Sequence, residues 1–378
     1  MHNREGKSMT DLREIRINES DKIKIHGRTG RQLQPLPLFF NGSGIEVTLT
    51  GSELWVELET DSDNLEPWVA YEINGAFMGR QMLLPGVHEL CLFRNLEPSE
   101  VKTVMFYREL QAVSEDNRCK VLVKGIKLDG ELLDPPKRRL RLEFIGDSIT
   151  SGEGTYGRIE DTVWVSMYMS ASVNYATMAA RALDADIQLI SQGGWGVYCG
   201  WDNDVRHNIP SVYENVCGLA DGPMNAEMGA QEPYDFSFGP DAVIVNLCTN
   251  DNSAFDQPAF TTPDGVSHKQ HRNPDGSFVK EDERKVETAI IDFLKMLRRH
   301  NPDSHIVWVY GMLGYEMTMT ITRAINEYRE ESGDKNVAFI NLPNTTPDTL
   351  GAHMHPGPKS HEKAAEVLVD YLRNRFGI

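Results

Sequence analysis

Phe144-Ile145-Gly146-Asp147-Ser148-Ile149-Thr150-Ser151-Gly152 decides how this chain of 378 residues reads. Leu140, Leu142 and Phe144 give a buried-strand pattern, and glycine-rich sequence follows the serine. A serine on a tight turn just past a strand end sits at the rim of a sheet. Its hydroxyl is exposed there, and backbone N–H groups at a helix start point toward whatever it attacks. That placement suits a nucleophile. As a packing residue, Ser148 would serve only as an N-cap.

Working outward, the sequence after residue 136 alternates strand and helix. Short apolar runs at Arg141–Ile145, Ile187–Ser191, Ala242–Leu247, Ile306–Tyr310 and Val337–Ile340 read as strands buried on both faces. Amphipathic helices lie between them: Tyr175, Met178, Ala179, Ala182 and Leu183; Val286, Ala289, Ile290, Phe293, Leu294 and Leu297; and finally Ala364, Ala365, Leu368, Val369 and Leu372. This predicts a parallel, doubly wound sheet whose site lies at the carboxyl ends of the strands.

Upstream the period changes to two. Ile45, Val47 and Leu49, then Leu54, Val56 and Leu58, alternate around Thr50-Gly51-Ser52, and Val69, Tyr71 and Ile73 run up to the hairpin signal Asn74-Gly75. Val104, Phe106, Val121 and Val123 fit further strands, and Asp129-Gly130 offers another turn. Two facing sheets bury such strands best. The expected division is an N-terminal extension over 1–20, a β-sandwich over 21–135 and an α/β domain over 136–378. Asp134-Pro135-Pro136-Lys137-Arg138-Arg139 marks the boundary.

Three further blocks fall at strand ends: Gln192-Gly193-Gly194-Trp195-Gly196, Asn246-Leu247-Cys248-Thr249-Asn250-Asp251, and His355-Pro356-Gly357-Pro358-Lys359-Ser360-His361 before the last helix. With the serine block, in this order, they resemble the GDSL (SGNH) hydrolase superfamily. The fragments Ile25-His26-Gly27-Arg28, Phe40-Asn41-Gly42-Ser43-Gly44-Ile45 and Lys124-Gly125-Ile126-Lys127-Leu128 look like the sandwich domain of carbohydrate esterase family 2. The resemblance implies a jelly-roll-like sandwich followed by a flavodoxin-like three-layer α/β/α domain. It also implies Ser148 as nucleophile, His355 as base, and an oxyanion hole from the Ser148 N–H, the Gly196 N–H and the Asn250 amide. Gly193 and Gly194 are alternatives to Gly196 within one run, and His353 and His361 compete with His355.

Two positions depart from the family pattern. The acidic residue three places before the histidine is replaced by Ala352, so a Ser-His dyad is expected, with a backbone carbonyl holding the imidazole and Asp348 as a poor substitute. Cys248 stands where glycine is usual and would crowd Asn250.

The resemblance implies a serine esterase that removes O-acetyl groups from xylan, a xylo-oligosaccharide or another acetylated sugar. The alternatives are a short-chain esterase, lipase or acyl-thioester hydrolase on the same scaffold, or a carbohydrate-binding protein without catalysis. Trp195, Tyr198 and Trp201 are candidate sugar-stacking residues, Asp202 and Asp204 candidate partners of sugar hydroxyls, and the loops Asn203–Pro240 and Asn252–Glu283 candidate cleft walls. His353-Met354-His355 and His268-x-x-His271 lack a third ligand at recognisable spacing, so no metal or other cofactor is expected. A formal charge of −18, from 56 acidic and 38 basic residues, disfavours nucleic acid and anionic membranes as partners. No apolar run is long enough to span a bilayer. Met1 to Arg13 lacks the apolar core of a signal peptide. Five scattered cysteines fit reduced thiols of a cytoplasmic protein, or of a secreted one whose leader has been removed. Oligomeric state is not legible in the sequence.

Overall fold

The computed structural model describes residues 12–378; the signal-peptide reading of Met1 to Arg13 falls largely outside them. Two antiparallel sheets form the sandwich. One runs Arg13–Arg16, Lys120–Leu128, Leu54–Asp61, Gly86–Phe93, with Leu36–Pro37 pairing Lys120–Leu128. The other runs Leu132–Leu133, Gly44–Leu49, Lys102–Arg108, Trp68–Ile73, Ala76–Met82, with Ile23–His26 pairing Gly44–Leu49. Arg13–Arg16 pairs with Gly125–Leu128, so the sandwich begins before the boundary expected at residue 21.

The alternation in Gly44–Leu49 and Leu54–Asp61 buries one face of each strand against the other sheet. Ile45, Val47, Leu49, Leu54, Val56 and Leu58 meet in one apolar core with Val104, Phe106, Val121 and Val123. The intervening Thr50-Gly51-Ser52 carries the chain across between sheets. The Asn74-Gly75 hairpin forms as expected, with both residues at positive φ (53° and 77°).

The second domain has a five-stranded parallel sheet in the order Ala185–Ser191, Leu140–Gly146, Ala242–Asn246, His305–Gly311, Val337–Leu342. Counted along the domain, that is strand order 2-1-3-4-5, the flavodoxin-like arrangement. Helices Tyr175–Ala182 and Pro358–Phe376 join the apolar cluster on one face, while Lys280–His300 and Thr318–Ser332 join that on the other. The strands are largely apolar because both faces are covered, and the buried polar Gln188 and Glu143 within them are hydrogen-bonded to each other. Among the described residues, no helix is long and apolar enough to cross a membrane.

The domains share a core: Phe39, Phe40 and Leu122 of the sandwich belong to the same buried cluster as Ile190, Val245 and Phe293. Arg28 is 1% exposed, pairs with Glu143 at 3.1 Å, and lies over the rings of Tyr213 and Tyr234 at 4.6 and 4.2 Å. The loop Asn203–Pro240, expected as a cleft wall, packs here instead. Ile209, Tyr213, Val216 and Cys217 are buried in the shared core, and the Arg28 guanidinium donates to the Tyr213 and Asn215 carbonyls.

Candidate active site

The carboxyl ends of the first three parallel strands are in register: Gly146 lies opposite both Ser191 and Asn246. The blocks that follow these strands are therefore adjacent by construction. Asp147 caps the short helix Ser148–Ser151 by accepting from the Ile149 N–H at 3.0 Å. Ser148 is the first helical residue, so its N–H has no acceptor within the helix. The loop Leu350–Gly357 is bound to the turn after the serine helix. Ala352 N–H donates to the Gly154 carbonyl at 2.9 Å, and a Cβ on Gly154 would lie 2.2 Å from the Ala352 carbonyl oxygen.

This brings the two ends of the sequence motif together. Ser148 Oγ lies 2.8 Å from His355 Nε2, and His355 Nδ1 lies 2.7 Å from the His353 carbonyl oxygen. With a carbonyl as its only hydrogen-bond partner among the described residues, Nδ1 carries the proton and leaves Nε2 to accept from the serine. His353 and Met354 both adopt left-handed backbone, φ 51° and 57°, which turns that carbonyl toward the ring. Asp348 is exposed, and its carboxylate accepts from Thr346 Oγ1 at 2.6 Å.

A carboxylate that the motif spacing does not reveal stands beside this pair. Glu153 Oε1 is 2.6 Å from His353 Nδ1 and 3.6 Å from His355 Nδ1. Burial pushes the Glu153 carboxyl up, but the charge of His355 and the hydrogen bond and charge of His353 outweigh it and hold it below the usual range. The same hydrogen bond raises the His353 imidazole. Asp147, wholly buried, is pushed up to about 7 by desolvation, with Asp251 and Glu153 adding like charge. His361 is buried in the last helix, where desolvation and then His355 push it down to about 3; its Nδ1 accepts from the Tyr175 N–H.

Asn250 Nδ2 donates one hydrogen to the Trp195 carbonyl at 2.8 Å, which fixes the amide and leaves its second hydrogen available. Cys248, two residues earlier, is fully buried at φ 95°, a conformation glycine adopts more readily. The departure from the family pattern thus falls on the backbone. Gly196 must be corrected as an oxyanion donor: its N–H donates to the His207 carbonyl at 3.3 Å, and the carboxylate of Asp251 covers its Cα. Asp251 accepts from Val197, Tyr198 and Cys199 and so fixes that turn. Gly194 differs. It sits at φ 79°, and no acceptor is found for its N–H among the described residues.

The aromatic candidates separate. Trp195 is 8% exposed and stacks on His207 at 5.1 Å, which places it in the core and away from the mouth. Tyr198 lines a polar hollow with His268, His271 and Lys285, away from the serine block. Trp201, 50% exposed, lies against Gly194. Asp204 is buried and paired with Arg206, and Asp202 accepts from the Asp204 N–H. Trp164, absent from the sequence-based candidates, hydrogen-bonds Glu153.

Two sandwich residues reach the strand ends. Gln111 Oε1 accepts from the Gly193 N–H at 2.9 Å, and Asn41 Oδ1 accepts from Ser191 Oγ at 2.9 Å. Both are buried. Among the described residues, two side-chain clusters have metal-like composition. Glu153, His353 and His355 bring their ligand atoms within 4.8 Å of one another, but the Nδ1 atoms of both histidines are engaged by Glu153 and the His353 carbonyl. His26, Glu46 and Asp186 lie at the far end of the sheet, where Lys24 and Arg138 already supply positive charge.

The sequence matches the GDSL-like Lipase/Acylhydrolase family over residues 144–363. It is similar to a solved acetyl xylan esterase from the rumen bacterium Butyrivibrio proteoclasticus, at 62% identity and a TM-score of 0.95 over 97% of this chain and 99% of that one. It is 27% identical to the cellulase/esterase CelE of Acetivibrio thermocellus over 90% of this chain, and spans only 36% of that relative's length. An acetylxylan esterase / glucomannan deacetylase of Cellvibrio japonicus matches at 24% identity over 93% of this chain and 88% of the relative. With the sandwich, the 2-1-3-4-5 sheet and the serine and histidine blocks in one chain, the protein belongs to the GDSL-like lipase/acylhydrolase family.

Proposed function

We propose that this protein is a carbohydrate O-deacetylase that removes acetyl groups from acetylated xylan or a related acetylated sugar by serine catalysis. The observation that carries the reading is the 2.8 Å contact between Ser148 Oγ and His355 Nε2 at the carboxyl edge of the parallel sheet. The acetyl xylan esterase at 62% identity over nearly the whole chain supports the substrate class.

In this mechanism Ser148 Oγ attacks the acetyl carbonyl carbon while its proton passes to His355 Nε2. The carbonyl oxygen takes up negative charge. The Ser148 N–H, the free hydrogen of Asn250 Nδ2 and the Gly194 N–H stabilise it. The ester C–O bond breaks, and His355 returns the proton to the leaving sugar hydroxyl. Water then attacks the acetyl-serine with His355 again as base, releasing acetate. Trp201 offers an exposed flat face beside Gly194 for the apolar side of a sugar ring.

Acetate release from acetylated xylan tests the substrate, and Ser148→Ala tests the nucleophile. That variant should lose hydrolysis of 4-nitrophenyl acetate and keep its melting temperature; wild-type turnover by it would sink the assignment. The competing reading, a general esterase or lipase, predicts rates sustained from acetyl to octanoyl esters. A deacetylase predicts a steep fall.

A further inference from the structure

Resting on the reading of Ser148 and His355 as nucleophile and base, we propose that Glu153 is a positioning residue for His355. It is the charged half of a divided triad in which the His353 carbonyl orients the ring and the Glu153 carboxylate stabilises the imidazolium.

The usual third member of a serine triad does two things with one group: it accepts the Nδ1 hydrogen, and it places negative charge beside the ring. Here the two tasks fall on two groups. The His353 carbonyl takes the Nδ1 hydrogen at 2.7 Å. Glu153 Oε1 stands 3.6 Å from the same nitrogen, too far for a hydrogen bond and close enough for an ion pair. One residue joins them. His353 bonds Glu153 through its side chain at 2.6 Å and His355 through its backbone.

Glu153 is also tied to the nucleophile. It follows the serine helix directly, and its N–H donates to the Ser148 carbonyl at 3.0 Å. Its side chain is only 7% exposed, so its charge is weakly screened. A Cβ on Gly193 would lie 3.1 Å from Oε2, so the glycine run packs against the carboxylate. The charged and titratable groups around this pair are His353 on the same loop, Asp147 on the nucleophile turn, and His361 on the last helix, which faces His355. His361 opposes the imidazolium through like charge, and Asp147 carries like charge toward Glu153. Glu153 is the carboxylate within ion-pair distance of the ring.

When the Ser148 proton reaches Nε2, the ring carries one positive charge, Nδ1–H stays with the carbonyl, and Glu153 balances that charge without taking a proton.

The test is the pH dependence of kcat/KM for 4-nitrophenyl acetate, from about pH 5 to pH 9, in the wild type, Glu153→Gln and Glu153→Asp. Removing a negative charge beside an imidazolium lowers the pKa of that base. The acid limb of Glu153→Gln should therefore move down by about one pH unit, with kcat reduced on the order of 10- to 100-fold and KM little changed. Glu153→Asp, which keeps the charge, should restore part of both. A folded Glu153→Gln with an unmoved acid limb overturns the proposal, whether its rate is normal or lost, because a purely structural glutamate changes the rate without moving the limb. If Glu153→Gln does not fold, Glu153→Asp decides in its place: a limb identical to the wild type counts against the proposal, and a small downward move supports it. Failure of the underlying reading shows up separately, as activity retained in Ser148→Ala or as no acetate released from acetylated xylan.

Discussion

The sandwich meets the catalytic domain differently at the two ends of the parallel sheet. Toward the amino ends the contacts are charged: Lys24 with Asp186 at 2.5 Å, Arg138 with Glu46, and, along the sheet face, Arg28 with Glu143. At the carboxyl ends, amides reach the strand termini: Asn41 on Ser191 and Gln111 on the Gly193 N–H. Buried or half-buried ion pairs cost much when one partner is removed, and they also set up strong fields. Neutral amides position the Ser191 hydroxyl and the Gly193 backbone without adding charge beside the proposed dyad. Neutral amides hold the carboxyl strand termini and charges hold the amino ends, while the buried Glu109 carboxylate of the sandwich anchors the Ser172 loop.

The hardest test of that division is Arg28→Met. It leaves Glu143 buried without its partner, a loss of about 3–5 kcal/mol for a buried pair. Urea unfolding should show this loss, while kcat of the protein that remains folded stays near wild type. A large drop in kcat with unchanged stability would break the comparison. Next in size is Gln111→Leu, which strips the acceptor from a partly buried N–H at a cost of about 1 kcal/mol. Here the expected signature is the reverse: kcat on aryl acetate falls by about tenfold, more than any loss in melting temperature would explain, because the glycine loop loses its anchor. Smallest is an effect of pH on Glu46. Burial raises its carboxyl, yet the hydrogen bond and charge of His26, with Arg138 and Lys24, bring it below the ordinary value. A depressed carboxylate adds stability in full above its unfolded pKa, and that stability disappears as pH falls through the folded one. The wild type should therefore lose stability more steeply than Glu46→Gln below about pH 4, measured as melting temperature against pH. Parallel curves would remove Glu46 from the charged end.

The sequence made the architecture legible where a physical period exists. Ile45, Val47 and Leu49 alternate because one face meets the opposite sheet; Ala242 to Val245 are apolar without a break because both faces are covered. It did not show that Leu49 and Leu54 belong to different sheets, since a three-residue turn reads alike for a hairpin and for a crossover between sheets. The serine and histidine blocks could be quoted because each sits at a strand end or before a helix. Glu153 could not, because its partners His353 and His355 lie 200 residues away or more and no spacing links them. Gly196 and Gly194 look alike in a glycine run. Only the direction of each N–H separates them, and that is set by His207 and Asp251. Polar composition suggested that Asn203–Pro240 lines a cleft. The segment must instead return from the carboxyl end of one strand to the amino end of the next, and it buries Tyr213 on the way.

The carbonyl that orients His355 has a genetic consequence. An acceptor that belongs to the main chain is not written in any one codon, so replacing the side chain of His353 does not delete it. Vulnerability to mutation moves to the positions that shape the loop. Gly154 has no room for a methyl group in front of the Ala352 carbonyl, and a Cβ on Gly351 would lie 2.2 Å from the Gly154 carbonyl oxygen. In a saturation scan scored on esterase activity, these two glycines should be less tolerant than the histidine whose carbonyl they hold in place.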